Sequence, residues 1–347
     1  MSLADAPLSK IQDRAPAPRH VADRGRSRLS EALRSWEALL VALFLAIFLA
    51  NSLASPYFLD IWNLSDATFN FTEKAIVALA LAFVILSGEI DISVAGIIAL
   101  ASTVMGLLAA GGAGLPLVAG AGLCTGLACG IVNGALVTGL GLPSIVATIG
   151  TMSLFRGLSY AILGDGAFTQ YPEGFEFFGQ GYVWEWLSFE FAAFLVLALV
   201  AGIVLHRTVV GRAIRAVGHN PFAARFSGLP VGRLKFLAFV VTGLAAGLAS
   251  VMLTSRLGST RPSIALGWEL EIVTMVVLGG VSINGGSGSI LGVVLAAFVM
   301  GLITFGLGLL NVPGIIMSIF IGLLLIAVIA LPVLAGRLAR RFSKGPR

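Results

Sequence analysis

AIVALALAFVILSGEIDISVAGIIALASTVMGLL, residues 75–108, consists of two apolar runs, Ala75–Leu86 and Ile97–Leu108. The segment between them holds a glycine, Gly88, and two carboxylates, Glu89 and Asp91. The runs are apolar on every side, and they lack the alternation of apolar and polar positions that marks a lipid-facing strand. The same texture extends over the whole chain. Of 347 residues, 58% are hydrophobic and 11% charged, and the mean hydropathy is +0.99. A soluble domain carries about 25% charged residues. The composition therefore specifies an all-α polytopic membrane protein. Its 43 glycines suit the close helix contacts made in lipid.

The break at Gly88 needs an explanation, because a carboxylate at the centre of a lipid-embedded helix costs about 2.5–3.5 kcal/mol. Acids are tolerated where a helix is interrupted and the site faces protein or water. Two readings follow. Asp91 caps a helix starting near Ile92, helped by Ser93, or Gly88, Glu89, Asp91 and Ser93 belong to a solute path or gate. The two roles are compatible.

Charge gives the expected orientation. Basic residues gather in residues 1–35, in 206–235 (Arg207, Arg212, Arg215, Arg225, Arg233, Lys235) and in 336–347, whereas 165–190 holds five acids and no Lys or Arg. Positive loops stay in the cytoplasm. Both termini and the 206–235 loop are thus expected inside, and the 164–188 loop outside. Residues 1–35 and 336–347 read as basic cytoplasmic tails flanking a transmembrane domain, 36–335. The run 36–54 could pass for a signal peptide, but its length and the spans that follow favour a retained first helix. Parity then gives about ten helices: 36–54, 73–88, 92–110, 114–138, 143–163, 188–206, 236–256, 268–283, 288–310 and 312–334. Several are short, so eight is the alternative count.

Two weakly related halves are expected. Val84–Asp91 echoes Val276–Asn284, with Gly88 answered by Gly279 and Gly280 and Asp91 by Asn284, and Gly141-Leu142-Pro143 echoes Asn311-Val312-Pro313. Gly-interrupted apolar segments in matching places point to a transport pathway. Cys124 and Cys129 read as small buried hydrophobes. His20, His206 and His219 are scattered, so no metal site is expected, and the basic loops account for the +5 charge without nucleic acid.

The inner loop 211–235 contains Asn220 as a helix cap, Pro221 at the first helical position and the short run Phe222-Ala223-Ala224-Arg225-Phe226-Ser227, which Gly228-Leu229-Pro230 ends. Phe222 and Phe226, four apart, make an aromatic knob for a soluble partner, and the other physical reading is a basic helix lying on anionic headgroups.

Here a resemblance enters. Gly218, Ala223-Ala224, Gly228 and Pro230 resemble the ATPase-coupling loop of ABC importer permeases. LSGEIDISVAG (86–96), LPSIVATIGTMSLFRGLSY (142–160) and LGWELEIVTMVVLGGVSINGGSGSILG (266–292) resemble the monosaccharide, ribose-permease-like branch. Residues 62–74 and 254–271 look most like a rhamnose-transporter permease subunit. The chain departs from the branch at Gly88-Glu89, where Gly-Gly is usual. The resemblance implies a type II-like permease fold and import of a monosaccharide, with L-rhamnose the first expectation, across a bacterial inner membrane. It also implies a second permease subunit (the same chain or a sister), a cytoplasmic ATPase and a periplasmic sugar-binding protein. The chain has no G-x-x-x-x-G-K-[ST]. It is therefore expected to carry no cofactor and no enzyme activity, with ATP used by the partner.

Arg256, Arg261 and Glu269 are candidates for docking the binding protein, or anchors at helix ends. Arg156 is expected near Asp165 as an ion pair or headgroup anchor. Two other classes are weaker: an ion-coupled secondary sugar transporter with Asp91 as proton site, and an enzyme on lipid-linked sugars, whose candidates Asp91, Glu269 and His219 fall on different loops.

Overall fold

The computed structural model describes residues 36–314, 316–324, 326 and 330. The expected tails, 1–35 and 336–347, and part of the tenth expected helix lie outside the described residues. The helices are α1 (Trp36–Ala54), α2 (Ile61–Phe69), α3 (Thr72–Leu86), α4 (Val94–Ala110), α5 (Leu115–Thr138), α6 (Ser144–Leu163), α7 (Phe177–Gln180), α8 (Phe189–Arg207), α9 (Val209–His219), α10 (Pro221–Phe226), α11 (Val231–Leu257), α12 (Trp268–Leu278) and α13 (Ile290–Leu309). A small antiparallel hairpin, β1 (Tyr182–Trp184) with β2 (Leu187–Ser188), precedes α8.

All ten expected segments coincide with helical residues, the tenth through the described helical residues 316–324, but they differ in reach. Among the described residues, α1, α5, α6, α8, α11 and α13 are long and apolar enough to cross a membrane alone. The pair α2–α3, bent by 49°, makes a seventh if read as one span. The short helices have shelter instead of length. Every residue of α3 except Lys74 is buried, as expected for a helix apolar all round. Its ends meet protein, so it need not reach the bilayer surface.

The bundle has two distinct ends. At the elbow end lie α9 and α10. There the Gly286 N–H donates to Leu86 O (2.9 Å), Trp36 Nε1 donates to Leu278 O (2.7 Å), and Ser289 Oγ donates to Glu37 (2.9 Å). At the hairpin end, Ser65 Oγ donates to Trp186 O (2.8 Å), the Gly179 N–H donates to Ser255 Oγ (2.7 Å), and Asn51 Nδ2 donates to Leu302 O (2.9 Å). Successive membrane helices therefore run alternately between the ends. The acidic 165–188 segment and the basic 206–235 segment lie at opposite ends, the separation that their charges led one to expect.

Glycine also sets the packing between α5 and α11. A β-carbon on Gly126 would stand 2.4 Å from Gly243 O, and one on Gly130 would stand 2.7 Å from Phe239 O. The four-residue spacing Gly122-Gly126-Gly130-Gly134 presents one smooth stripe, so the two backbones approach directly.

The first sequence echo has a structural counterpart. α3 and α12 both run toward the elbow end and finish alike. Gly88 (φ 84°) and Gly280 (φ 82°) are left-handed, and the amides of Glu89 and Val281 bond back to Val84 O and Val276 O. This is the glycine-terminated helix end expected where a chain must turn away sharply. The second echo does not extend the repeat. Gly141 and Asn311 are both left-handed, but Gly141 lies at the elbow end and Asn311 at the hairpin end.

Candidate functional site

The elbow is built from short, firmly capped pieces. Thr208 Oγ1 accepts the Gly211 N–H, and Asn220 Oδ1 accepts the Ala223 N–H (2.9 Å), with Pro221 filling a helix position that needs no donor. Gly228 (φ 82°) ends α10, and the Leu229 N–H returns to Ala224 O (3.1 Å). Ala224, Val217 and Val231 form a small buried cluster beneath α10. With its inner face anchored there, α10 turns Phe222 and Phe226 outward, 75% and 93% exposed.

The same elbow rests on the end of α3 and on the loop that follows α12. A β-carbon on Gly218 would stand 1.9 Å from Leu86 O and 2.4 Å from Gly286 N, and one on Gly285 would stand 2.9 Å from Gly88 Cα and 3.1 Å from Gly218 Cα. Three glycine backbones thus converge. Lys235, in the second turn of α11, forms an ion pair with Glu89, and Arg215 Nη2 donates to Gly288 O (3.2 Å). Gly88, Glu89, Asp91, Ser93, Gly279, Gly280 and Asn284, expected as a path or gate, fall at different places in this conformation. Gly88 and Glu89 belong to the elbow junction. Gly279 packs on Val293 and Gly280 on Trp36, while Asn284 is exposed near the elbow.

Asp91 and Ser93 lie deeper. Residues beyond Gly88 carry the chain inward, so α4 begins inside the bundle. Its second turn meets Ser250, whose Oγ donates to Ile98 O (2.8 Å) roughly 28 Å along α11 at 1.5 Å per residue. Asp91 Oδ1 accepts the Ser93 N–H (2.9 Å) and Ser93 Oγ–H (2.6 Å), and Asn133 Nδ2 donates to Ser93 Oγ (2.7 Å). Asp91, Ser93 and Asn133 are fully buried. Asp91 therefore organises the entry to α4 in this conformation and offers no exposed face to a solute. Sequence reading missed Asn133, although a lone polar residue in a glycine-rich apolar run was the available signal.

At the hairpin end the arginines have partners within the chain. Arg256 Nε donates to Glu73 Oε1 (2.7 Å), where Glu73 is fully buried and the arginine side chain 27% exposed. Of the expected docking candidates, Arg256 thus has a partner within the chain, whereas Arg261 is exposed. Glu190, also fully buried, has neither oxygen hydrogen-bonded. Lys74 pairs with Glu271 (2.5 Å) and lies 4.7 Å from the Trp268 ring centre. Arg156 does not pair with Asp165. It donates to Pro262 O (2.8 Å), Ile264 O (3.2 Å) and Ala95 O (3.2 Å), and so ties the loop before α12 to the start of α4. Glu269 is half-buried on the same side of the bundle.

Removing one partner of a buried ion pair strands the other charge, so Arg256→Gln is expected to cost about 3 kcal/mol. Glu190→Gln, which removes the surplus acid, is expected to leave thermal unfolding in detergent unchanged or raised. Equal melting temperatures for Arg256→Gln and wild type would refute a structural role for the pair.

The chain matches the protein family described as "Branched-chain amino acid transport system / permease component" over residues 63–329. It is 37% identical over 302 residues to the "Autoinducer 2 import system permease protein LsrD" of Salmonella typhimurium, covering 85% of this chain and 90% of that protein. It is 36% identical over 300 residues to the protein of that name from Yersinia enterocolitica, with the same coverage, and 35% identical over 300 residues to that from Escherichia coli O9:H4, covering 85% and 91%. No solved structure matches. Both the family match and these relatives span most of the 347 residues, so the chain belongs to this family of transport-system permease components, as a multi-pass membrane subunit of an ABC importer and not an enzyme.

Proposed function

We propose that this subunit carries a small monosaccharide-like solute inward across a bacterial inner membrane. A separate ATPase drives it by pressing on α10. The elbow end then faces the cytoplasm, with both termini, and the hairpin end receives a periplasmic binding protein. Two permease subunits, identical or sister, enclose the path. The observation that carries this reading is the pair Phe222 and Phe226, turned outward on a helix that follows directly on α9, whose last turn rests on the end of α3 and on the 279–289 loop. Solvent-facing aromatics on a rigid support are what a protein partner uses as anchors. A push on α10 would pass through α9 to the end of α3 and to the loop after α12, which is how two packed states of a bundle could be exchanged.

The solute is proposed from two supports that differ. Residues 62–74 and 254–271 resemble rhamnose permeases, and the relatives are named for autoinducer 2. L-Rhamnose and autoinducer 2 are therefore the two solutes to test in the reconstituted importer. Phe226→Asp is expected to weaken ATPase binding by about 2 kcal/mol, the scale of an interfacial anchor, and to reduce uptake of the transported solute roughly thirtyfold at limiting ATPase. Unchanged uptake by this variant would overturn the coupling role. Uphill uptake by the purified chain alone, driven by a proton gradient, would overturn the ATP-driven scheme.

A further inference from the structure

Between α3, α8, α9 and α11 the bundle has a lateral cavity of about 490 Å³, within the range of small-molecule pockets. All the residues that line it are apolar, among them Phe83, Val200, Val204, Ile214, Leu237 and Val241. Val200, Leu237 and Val241 are about half exposed, so the cavity opens sideways. α6, whose sequence carries one of the permease-like motifs, contributes nothing to it. Along α11 the lining runs from Leu234 to Leu248, about 21 Å at 1.5 Å per residue. That lies within a ~30 Å hydrocarbon core and is long enough for most of one acyl chain.

The elbow-end mouth of this groove is charged. Arg207 stands three residues beyond Val204 on α8, and Arg233 four before Leu237 on α11, so each continues the helix face that lines the groove. Both arginines are exposed, and among the described residues neither has an acidic partner within 4.0 Å. A guanidinium binds a phosphate through two parallel N–H donors. Basic clusters at the membrane edge also gain from the anionic lipids of the cytoplasmic leaflet.

We propose that the groove is a binding site for an anionic phospholipid, one acyl chain lying along Leu234–Leu248 and the phosphate met by the arginines at its mouth, Arg207 and Arg233. An apolar helix of a second subunit would fill the lining equally, but it would supply nothing for the two arginines, and they decide for a lipid.

The test uses the assembled importer in nanodiscs of mixed phosphatidylglycerol and phosphatidylethanolamine, with retained lipid counted by native mass spectrometry. The double variant Arg207→Gln/Arg233→Gln is expected to lower retained phosphatidylglycerol at least fivefold without lowering phosphatidylethanolamine. Ala245→Phe, which fills the groove, is expected to lower both. A photoreactive residue at Leu237 is expected to acquire a phospholipid adduct. Undiminished phosphatidylglycerol in the double variant, or an adduct on a peptide of another subunit, would overturn the proposal. Binding here requires no particular solute, so its failure would leave the transport reading standing.

Discussion

Gly126→Val is expected to prevent the bundle from assembling. The substitution puts a β-carbon 2.4 Å from Gly243 O and against the backbone of Gly247, and two further methyl groups beyond it. No side chain is available to swing aside, because the opposing atoms are main chain of another glycine. Overpacking that flexible neighbours can absorb costs about 1–3 kcal/mol, and this contact has none, so the loss should exceed that range. In a marginally stable protein a loss of that size removes most of the folded population. Expression with fluorescence-detected gel filtration would report it as loss of the monodisperse peak. Gly120→Val is the control on the same helix, since nothing lies within 4 Å of its β-carbon position. Equal peaks from the two variants would refute the close approach of α5 and α11.

Gly218→Ala is expected to separate ATP hydrolysis from transport. The added carbon would stand 1.9 Å from Leu86 O and 2.4 Å from Gly286 N, which share a 2.9 Å hydrogen bond. Either that bond breaks or the last turn of α9 lifts from α3. Phe222 and Phe226 would remain available to the ATPase, so hydrolysis in the assembled complex should stay within about twofold of wild type. Uptake should fall at least tenfold, the equivalent of about 1.4 kcal/mol in the coupled step. Gly232→Ala, with nothing within 4 Å, should transport normally. Parallel losses of hydrolysis and uptake would mean that the junction only holds the partner, and full uptake would mean that it transmits nothing.

Features governed by neighbours in sequence were legible. The apolar runs marked the membrane helices among the described residues, Asn220-Pro221 marked the start of α10, and Gly88 and Gly280 marked two helix ends that prove to be built alike. Arginine placement sorted the loops to opposite ends. The pairings were not legible, because they join residues far apart. Lys235 meets Glu89 across 146 positions and Arg256 meets Glu73 across 183. An apolar run also says nothing of depth, so the start of α4 inside the bundle could not be read from its length. A charge at a helix end reads the same whether a partner protein or a buried carboxylate neutralises it, and this is why the sequence leaves Arg256 open between docking and anchoring.

The meeting of Gly88, Gly218 and Gly285 bears on how this machine can diversify. Its innermost contacts are main chain against main chain, so no compliant side chain stands between Gly218 and the end of α3. Under the proposed ATP-driven scheme, the solute path could then change for a new cargo while this contact stays as it is.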